Sequence, residues 1–267
     1  VSGDRGRTLW PSNTRLDVGV RQVALDQPGA RLVSGGGQRA SGPWRANGSD
    51  VRAAGGRGPD GQPRFDQQVA PGGYLWWYVD ALSDDGRFGL TLIAFVGSVF
   101  SPYYAWAQRH GPAPADNYCC LNVALYGPQR RWTMTERGAR WCERDAHHFR
   151  IGPSALHWDG SSLTIDIDEV GVPIPQRVRG RVVLHPGRLF PFTTRIDPLG
   201  RHRWGPIAPS ARVEVDLDAP RQRWQGQAYL DSNEGEEPIA KACREWDWSR
   251  STLRRIGSLL ICLLICK

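Results

Sequence analysis

Leu163-Thr164-Ile165-Asp166-Ile167-Asp168-Glu169 decides the fold class. Leu163, Ile165 and Ile167 alternate with Thr164, Asp166 and Asp168, and side chains in a strand point to opposite faces in turn. The stretch therefore predicts a half-buried strand with one polar face, on which Asp166 and Asp168 point outward. Just upstream, Leu156-His157-Trp158 followed by Asp159-Gly160 predicts a preceding strand and a turn. Residues 178–184 and 212–217 repeat the period of two, and residues 224–231 complete the series. Towards the N-terminus, residues 74–79 form an aromatic strand candidate and residues 89–96 a nearly continuous apolar one. Asp85-Gly86 between them predicts a hairpin. Eight or so short strands at close spacing favour an all-β barrel or sandwich over any α/β fold. Only residues 238–246 read as helical, with Pro238 suited to a first turn.

Composition narrows the function. Lysine and arginine total 34 against 27 acidic residues, a formal net charge of +7, but only Lys241 and Lys267 are lysines. The arginines are dispersed along the chain instead of gathered on one helix, so no nucleic-acid partner is expected. No glycine-rich phosphate cradle follows a strand, which leaves a nucleotide cofactor without support. Six cysteines (Cys119, Cys120, Cys142, Cys243, Cys262, Cys266) form no CxxC pair and no zinc spacing. Residues 1–28 lack an apolar signal segment, so free thiols in a reducing compartment are the expectation. The late apolar run at 259–265 is far shorter than the roughly 20 residues a spanning helix needs, so membrane contact is expected to be peripheral.

The chain changes character near Pro63. Residues 1–62 are rich in Gly, Arg and Pro without apolar periodicity and read as a disordered arm. Because the chain opens on Val1, this arm reads as a fragment or an upstream extension.

Two pairs of chemistry-bearing residues lie in the β-rich part: His202 with Trp204, and Tyr229 with Asp231. Each has an i, i+2 spacing, which places both members on one strand face. In the last strand, Gln225, Gln227, Tyr229 and Asp231 share a face opposite Trp224, Gly226, Ala228 and Leu230. If the first set lined a barrel interior, Asp231 would sit in a low dielectric, stay protonated, and be able to donate a proton to carbon. The competing readings are a surface or hydrogen-bonded Tyr-x-Asp pair and a part-exposed His beside a packing Trp. His147-His148 reads as solvated, and Ser98 and Ser101 carry no nucleophile-elbow pattern.

Several blocks carry a family resemblance. Pro71-Gly72-Gly73-Tyr74-Leu75-Trp76-Trp77-Tyr78-Val79-Asp80-Ala81 and Gly97-Ser98-Val99-Phe100-Ser101-Pro102-Tyr103-Tyr104 are two of them. Leu121-Asn122-Val123-Ala124-Leu125-Tyr126-Gly127, Thr133-Met134-Thr135-Glu136-Arg137, Ile151-Gly152-Pro153-Ser154 and Tyr229-Leu230-Asp231-Ser232-Asn233-Glu234-Gly235 are the others. Together they are similar to the carotenoid 1,2-hydratases, also called hydroxyneurosporene synthases, over residues 64–251. The resemblance implies a lipocalin-like architecture with two barrel-type domains. The first would cover 63–195, an incomplete second would start at 196–251, and 252–267 would be a tail outside the family, as a frameshifted or truncated end would be.

The same resemblance implies cofactor-independent addition of water to the terminal C1=C2 bond of an acyclic carotene such as neurosporene or lycopene. It places His202, Trp204, Tyr229 and Asp231 in the catalytic set, with Asp231 as proton donor and Trp204 and Tyr229 as π faces for a tertiary cation. His202 would orient the water and accept its proton. A carotene dissolved in a lipid bilayer implies an enzyme bound peripherally to the membrane, on its cytoplasmic side, with net positive charge favouring anionic lipid. The alternative from another class is a non-catalytic lipocalin-like carrier of a hydrophobic ligand. It would share the barrel and need neither Asp231 nor His202.

Overall fold

A computed structural model describes residues 55–171 and 174–242, and the backbone alone of 247–253 and 258–264. The chain opens into a hairpin of β1 (Tyr74–Ser83) and β2 (Gly89–Val96), turned at Gly86 with φ 70°. Asp85 accepts from the Ser83 hydroxyl and the Arg87 amide there, as the Asp-Gly turn signal predicts. α1 (Pro102–His110), β3 (Cys119–Tyr126) and β4 (Arg131–Arg137) follow, and then the short β5 (Cys142–Arg144), β6 (His148–Ile151) and β7 (Ser154–Trp158). Next come β8 (Leu163–Val170), β9 (Arg177–Pro186) and the two-residue β10 (Thr194–Arg195). The long β11 (His202–Ala219) and β12 (Arg221–Gly235) close the run, ahead of the one-turn α2 (Ile239–Ala242).

All of these strands join one antiparallel sheet in the order β4-β3-β2-β1-β12-β11-β9-β8-β7-β6-β5, with β10 on the edge of β11. The sheet curls until β4 meets β8 and β3 meets β6, giving a nearly closed barrel. Register slips between Pro206 and Ala208 and between Ala208 and Ala211 let β11 bend. The alternation in β8 is as expected: Leu163, Ile165 and Ile167 are buried, while Asp166 and Asp168 face outward to Arg181 and Arg177. The interior collects those residues with Leu75, Trp77 and Val79 of β1, Val213 and Val215 of β11, and Trp224, Ala228 and Leu230 of β12.

Three expectations are corrected. The division drawn at 195/196 falls inside the sheet, because β11 and β12 pair with β9 and β1, and the described residues through Lys241 belong to one unit. Residues 55–62, expected as the end of a disordered arm, pack at the barrel. Arg57 is 3 % exposed, and Trp77 Nε1 donates to the Gly56 carbonyl at 2.8 Å. Residues 1–54 lie outside the described part. A helix also forms that the sequence reading passed over. Ser101 caps α1 by accepting from the Tyr104 amide at 2.9 Å, with Pro102 in the first turn. Of the expected 238–246 helix, α2 is the described portion.

The second unit contains a hairpin of β13 (Asp247–Leu253) and β14 (Ser258–Leu264). Cys119, Cys120 and Cys142 are free thiols, and Cys243, Cys262 and Cys266 lie outside the described side chains. Among the described residues no helix is long and apolar enough to cross a membrane.

Candidate active site

β12 changes character along its length. Gln225 and Gln227 are exposed while Trp224, Gly226, Ala228 and Leu230 face inward, so the odd-numbered face is the outside of the barrel. From Ala228 to Asn233, however, every residue is buried. Tyr229 and Asp231 are therefore buried on the outer face, not in the barrel interior that the sequence suggested. Register places Pro206 of β11 and Tyr78 of β1 on either side of Asp231, and Asp80 opposite Tyr229.

Three of the four expected residues converge. Trp204 Nε1 and Tyr229 Oη both donate to Asp231 Oδ2, each at 2.9 Å. Asp231 Oδ1 has no hydrogen-bond partner among the described residues. Burial pushes the Asp231 carboxyl up to about 7, against the pull of the Trp204 and Tyr229 hydrogen bonds and the Arg57 charge; the Asp80 charge adds to the rise. Burial likewise raises the Tyr229 and Tyr78 hydroxyls well above their ordinary range, so both are protonated donors. The Tyr78 and Tyr229 rings meet edge to face with centroids 6.3 Å apart.

His202 stands apart from these three. It is opposite Gly235, four residues beyond Asp231 on β12, or about 13 Å along the strand. Its Nδ1 shares a 2.9 Å hydrogen bond with Tyr74 Oη, its amide donates to Asp197 Oδ1 at 2.7 Å, and its Nε2 lies 3.8 Å from Glu237 Oε1. Burial lowers its pKa, so the imidazole is neutral at pH 7. Gly235 makes room for this pair, since a Cβ there would come within 2.6 Å of His202 Nδ1. Tyr74 also stacks on Trp76 at 4.8 Å, and Trp76 meets Phe95 at 5.5 Å, so an aromatic row crosses the outer face beside the acid centre.

Arg57 supports the centre from the barrel side. Its guanidinium donates to the carbonyls of Phe190, Phe192, Pro206 and Gly205 and to Ser232 Oγ, and burial lowers its pKa to about 10. Sequence reasoning missed it because a lone Arg in a Gly-rich stretch carries no signal. Tyr78 and Asp80 were equally unmarked, although their i, i+2 spacing repeats that of Tyr229 and Asp231. The lesser candidates stay outside the site: Asp145 accepts from the amides of His147 and His148, and Ser101 caps α1. A groove of about 1020 Å³ lined by Asn117, Arg137, Trp141 and Arg150 contains none of the four residues. Among the described residues no three His, Cys, Asp or Glu side chains gather as a metal site requires.

A nearly closed, lipocalin-like antiparallel barrel carrying a buried carboxylic acid among aromatic side chains defines the class. A solved structure of a protein described as a candidate AttH from Nitrosomonas europaea shares this fold, with a TM-score of 0.50 at 17% identity over 70% of this chain and 59% of that one. The family model for carotenoid hydratase CrtC matches residues 92–262, and the chain belongs to that family. It is 63% identical to the acyclic carotenoid 1,2-hydratase of Rubrivivax gelatinosus over 98% of this chain and 65% of that protein. It is 52% identical to the enzyme of the same name from Thiocapsa roseopersicina over 94% of this chain and 62% of that protein. The chain thus spans less than two thirds of the length of either relative. The similarity extends beyond residues 64–251, and the family match includes residues 252–262 of the segment read as a tail.

Proposed function

We propose that this chain carries the acid centre of an acyclic carotenoid 1,2-hydratase, which adds water across the terminal C1=C2 bond of a carotene such as neurosporene or lycopene. The observation that carries this reading is the Asp231 carboxyl. One oxygen is fixed by two donors, the other has no hydrogen bond among the described residues, and its pKa lies near neutrality. A buried carboxylic acid held in this way can give its proton to C2, leaving a tertiary cation at C1. The rings of Trp204 and Tyr229, oriented by their own bonds to Asp231, offer π faces to that cation, worth about 2 kcal/mol when desolvated. No cofactor enters this scheme. His202, expected to orient the water, lies apart from this centre; its neutral ring is anchored at Nδ1 by Tyr74, which gives it a positioning part at the end of the aromatic row. The test is to incubate the protein with lipid vesicles containing lycopene and look by mass for products that have gained water.

The same reading sets a pH dependence. Asp231 must be protonated to act, so turnover falls as pH rises through about 7. A profile of kcat against pH checks this, and a flat alkaline side would count against Asp231 as donor. A carrier protein would show no product at any pH and would bind its ligand equally well after Asp231→Asn.

The substrate is dissolved in lipid, and α1 offers a surface for reaching it. Tyr104 anchors the helix by donating to the Gly73 carbonyl at 2.6 Å, while Tyr103 and Trp106 are 72% and 62% exposed beside Arg109. Exposed Tyr and Trp next to a cation favour the interfacial zone of an anionic bilayer. Replacing both Tyr103 and Trp106 by Ala is expected to weaken co-sedimentation with anionic vesicles about tenfold.

A further inference from the structure

Two Tyr-x-Asp motifs face each other across β1 and β12. Tyr78-Val79-Asp80 runs antiparallel to Tyr229-Leu230-Asp231, with Tyr78 opposite Asp231 and Asp80 opposite Tyr229. The pairing is reciprocal, each tyrosine facing the other motif's carboxyl, and all four residues are buried. Asp80 is the diagonal neighbour of Asp231, a relation that separates Cα atoms by about 7–8 Å and lets side chains come closer. His202, about 13 Å along the strand, is much farther away. In the hydration proposed above, the carbon that gains a proton and the carbon that gains oxygen are bonded to each other. The groups serving them must therefore lie close together, as the register places Asp80 and Asp231 and does not place His202 and Asp231.

We infer that Asp80 is a second catalytic carboxylate, the base that takes the proton of the water adding to C1. This rests on the hydratase reading. Asp231 gives its proton to C2 as the alkene π pair forms the C2–H bond. A lone pair of water then forms the C1–O bond, and one water O–H pair returns to oxygen as its proton passes to the Asp80 carboxylate. Transfer of that proton back to Asp231 through the Tyr78 and Tyr229 hydroxyls restores both groups, so alkene and water yield the alcohol with no other reactant. A buried second carboxylate also holds the first one protonated, as the Asp80 charge does for Asp231. Among the described residues, the titratable groups acting on the pair include Tyr78, Tyr229 and Arg57, with Tyr126 of β3 acting on Tyr78.

The experiment is the pH profile of kcat on vesicle-borne lycopene for wild type, Asp80→Asn and His202→Gln, with folding checked by circular dichroism. Wild type is expected to give a bell, its acid limb set by Asp80 and its basic limb by Asp231. Asp80→Asn is expected to lower kcat about a hundredfold or more, remove the acid limb and move the basic limb to lower pH. His202→Gln should retain the acid limb. Unchanged turnover in Asp80→Asn, or lost turnover with both limbs in place, overturns the assignment while leaving the hydratase reading intact. If Asp80→Asn does not fold, the His202→Gln profile decides: loss of the acid limb there makes His202 the base. A wild-type chain that forms no hydrated product overturns the hydratase reading, and this inference with it.

Discussion

Asp231→Asn is expected to lose turnover by at least a hundred- to ten-thousandfold, because an amide has no proton to give to carbon. The fold should survive, since the amide oxygen can still accept from Trp204 and Tyr229. Stability should respond to pH in the same sense as activity, falling as Asp231 loses its proton. The folded Asp231 carboxyl holds its proton up to about 7, against 3.8 for a free aspartate. Its contribution to stability is therefore full below the unfolded pKa and is lost as pH rises through the folded one, a swing of about 4 kcal/mol. Asparagine has no such swing but leaves a buried amide N–H pair short of partners, at a cost of about 1–3 kcal/mol. The variant should thus be the less stable protein near pH 4.5 and the more stable one near pH 8, as urea unfolding at the two values would reveal. Curves that never cross would mean that the site does not strain the carboxylate.

Arg57→Met is expected to cost about 3–5 kcal/mol, the range for breaking a buried charged network. Methionine fills much of the space, but four carbonyls and Ser232 Oγ lose a donor where little water reaches. A fall of about 10 °C in thermal midpoint would follow. The variant should also move the alkaline limb of turnover to higher pH, because the Arg57 charge pulls the Asp231 pKa down. A variant as stable as wild type would show that residues 55–62 do not seal the barrel.

The fold was readable where the information is local. Leu163, Ile165 and Ile167 alternate because one side of β8 meets the core, and Asp85-Gly86 turns the first hairpin without help from distant residues. α1 had its own local signals in Ser101 and Pro102, but its two adjacent tyrosines and Trp106 resemble the aromatic strands around it. The site was readable only in part. Spacing put Tyr229 and Asp231 on one face, yet which face is buried depends on the curl of the whole sheet. Asp80 could be recognised only once register set it opposite Tyr229, and register is fixed by partners more than a hundred residues away in sequence. Arg57 depends on the same distance, since carbonyls of residues 190–206 determine its position.

β11 and β12 lie in the middle of the sheet but are the last of its strands to leave the ribosome. Until residue 235 has emerged, the ribbon from β1 to β4 and the ribbon from β5 to β9 share no strand ladder. Closing the sheet means paying the entropy of a very long loop before most of its contacts form, which makes it a slow step. The strands that supply this closure also carry Trp204, Tyr229 and Asp231. Until β12 pairs with β1, therefore, Asp231 lacks Tyr78 beside it and Tyr229 lacks Asp80, so the closing ladder is also what completes the surroundings of the carboxyl.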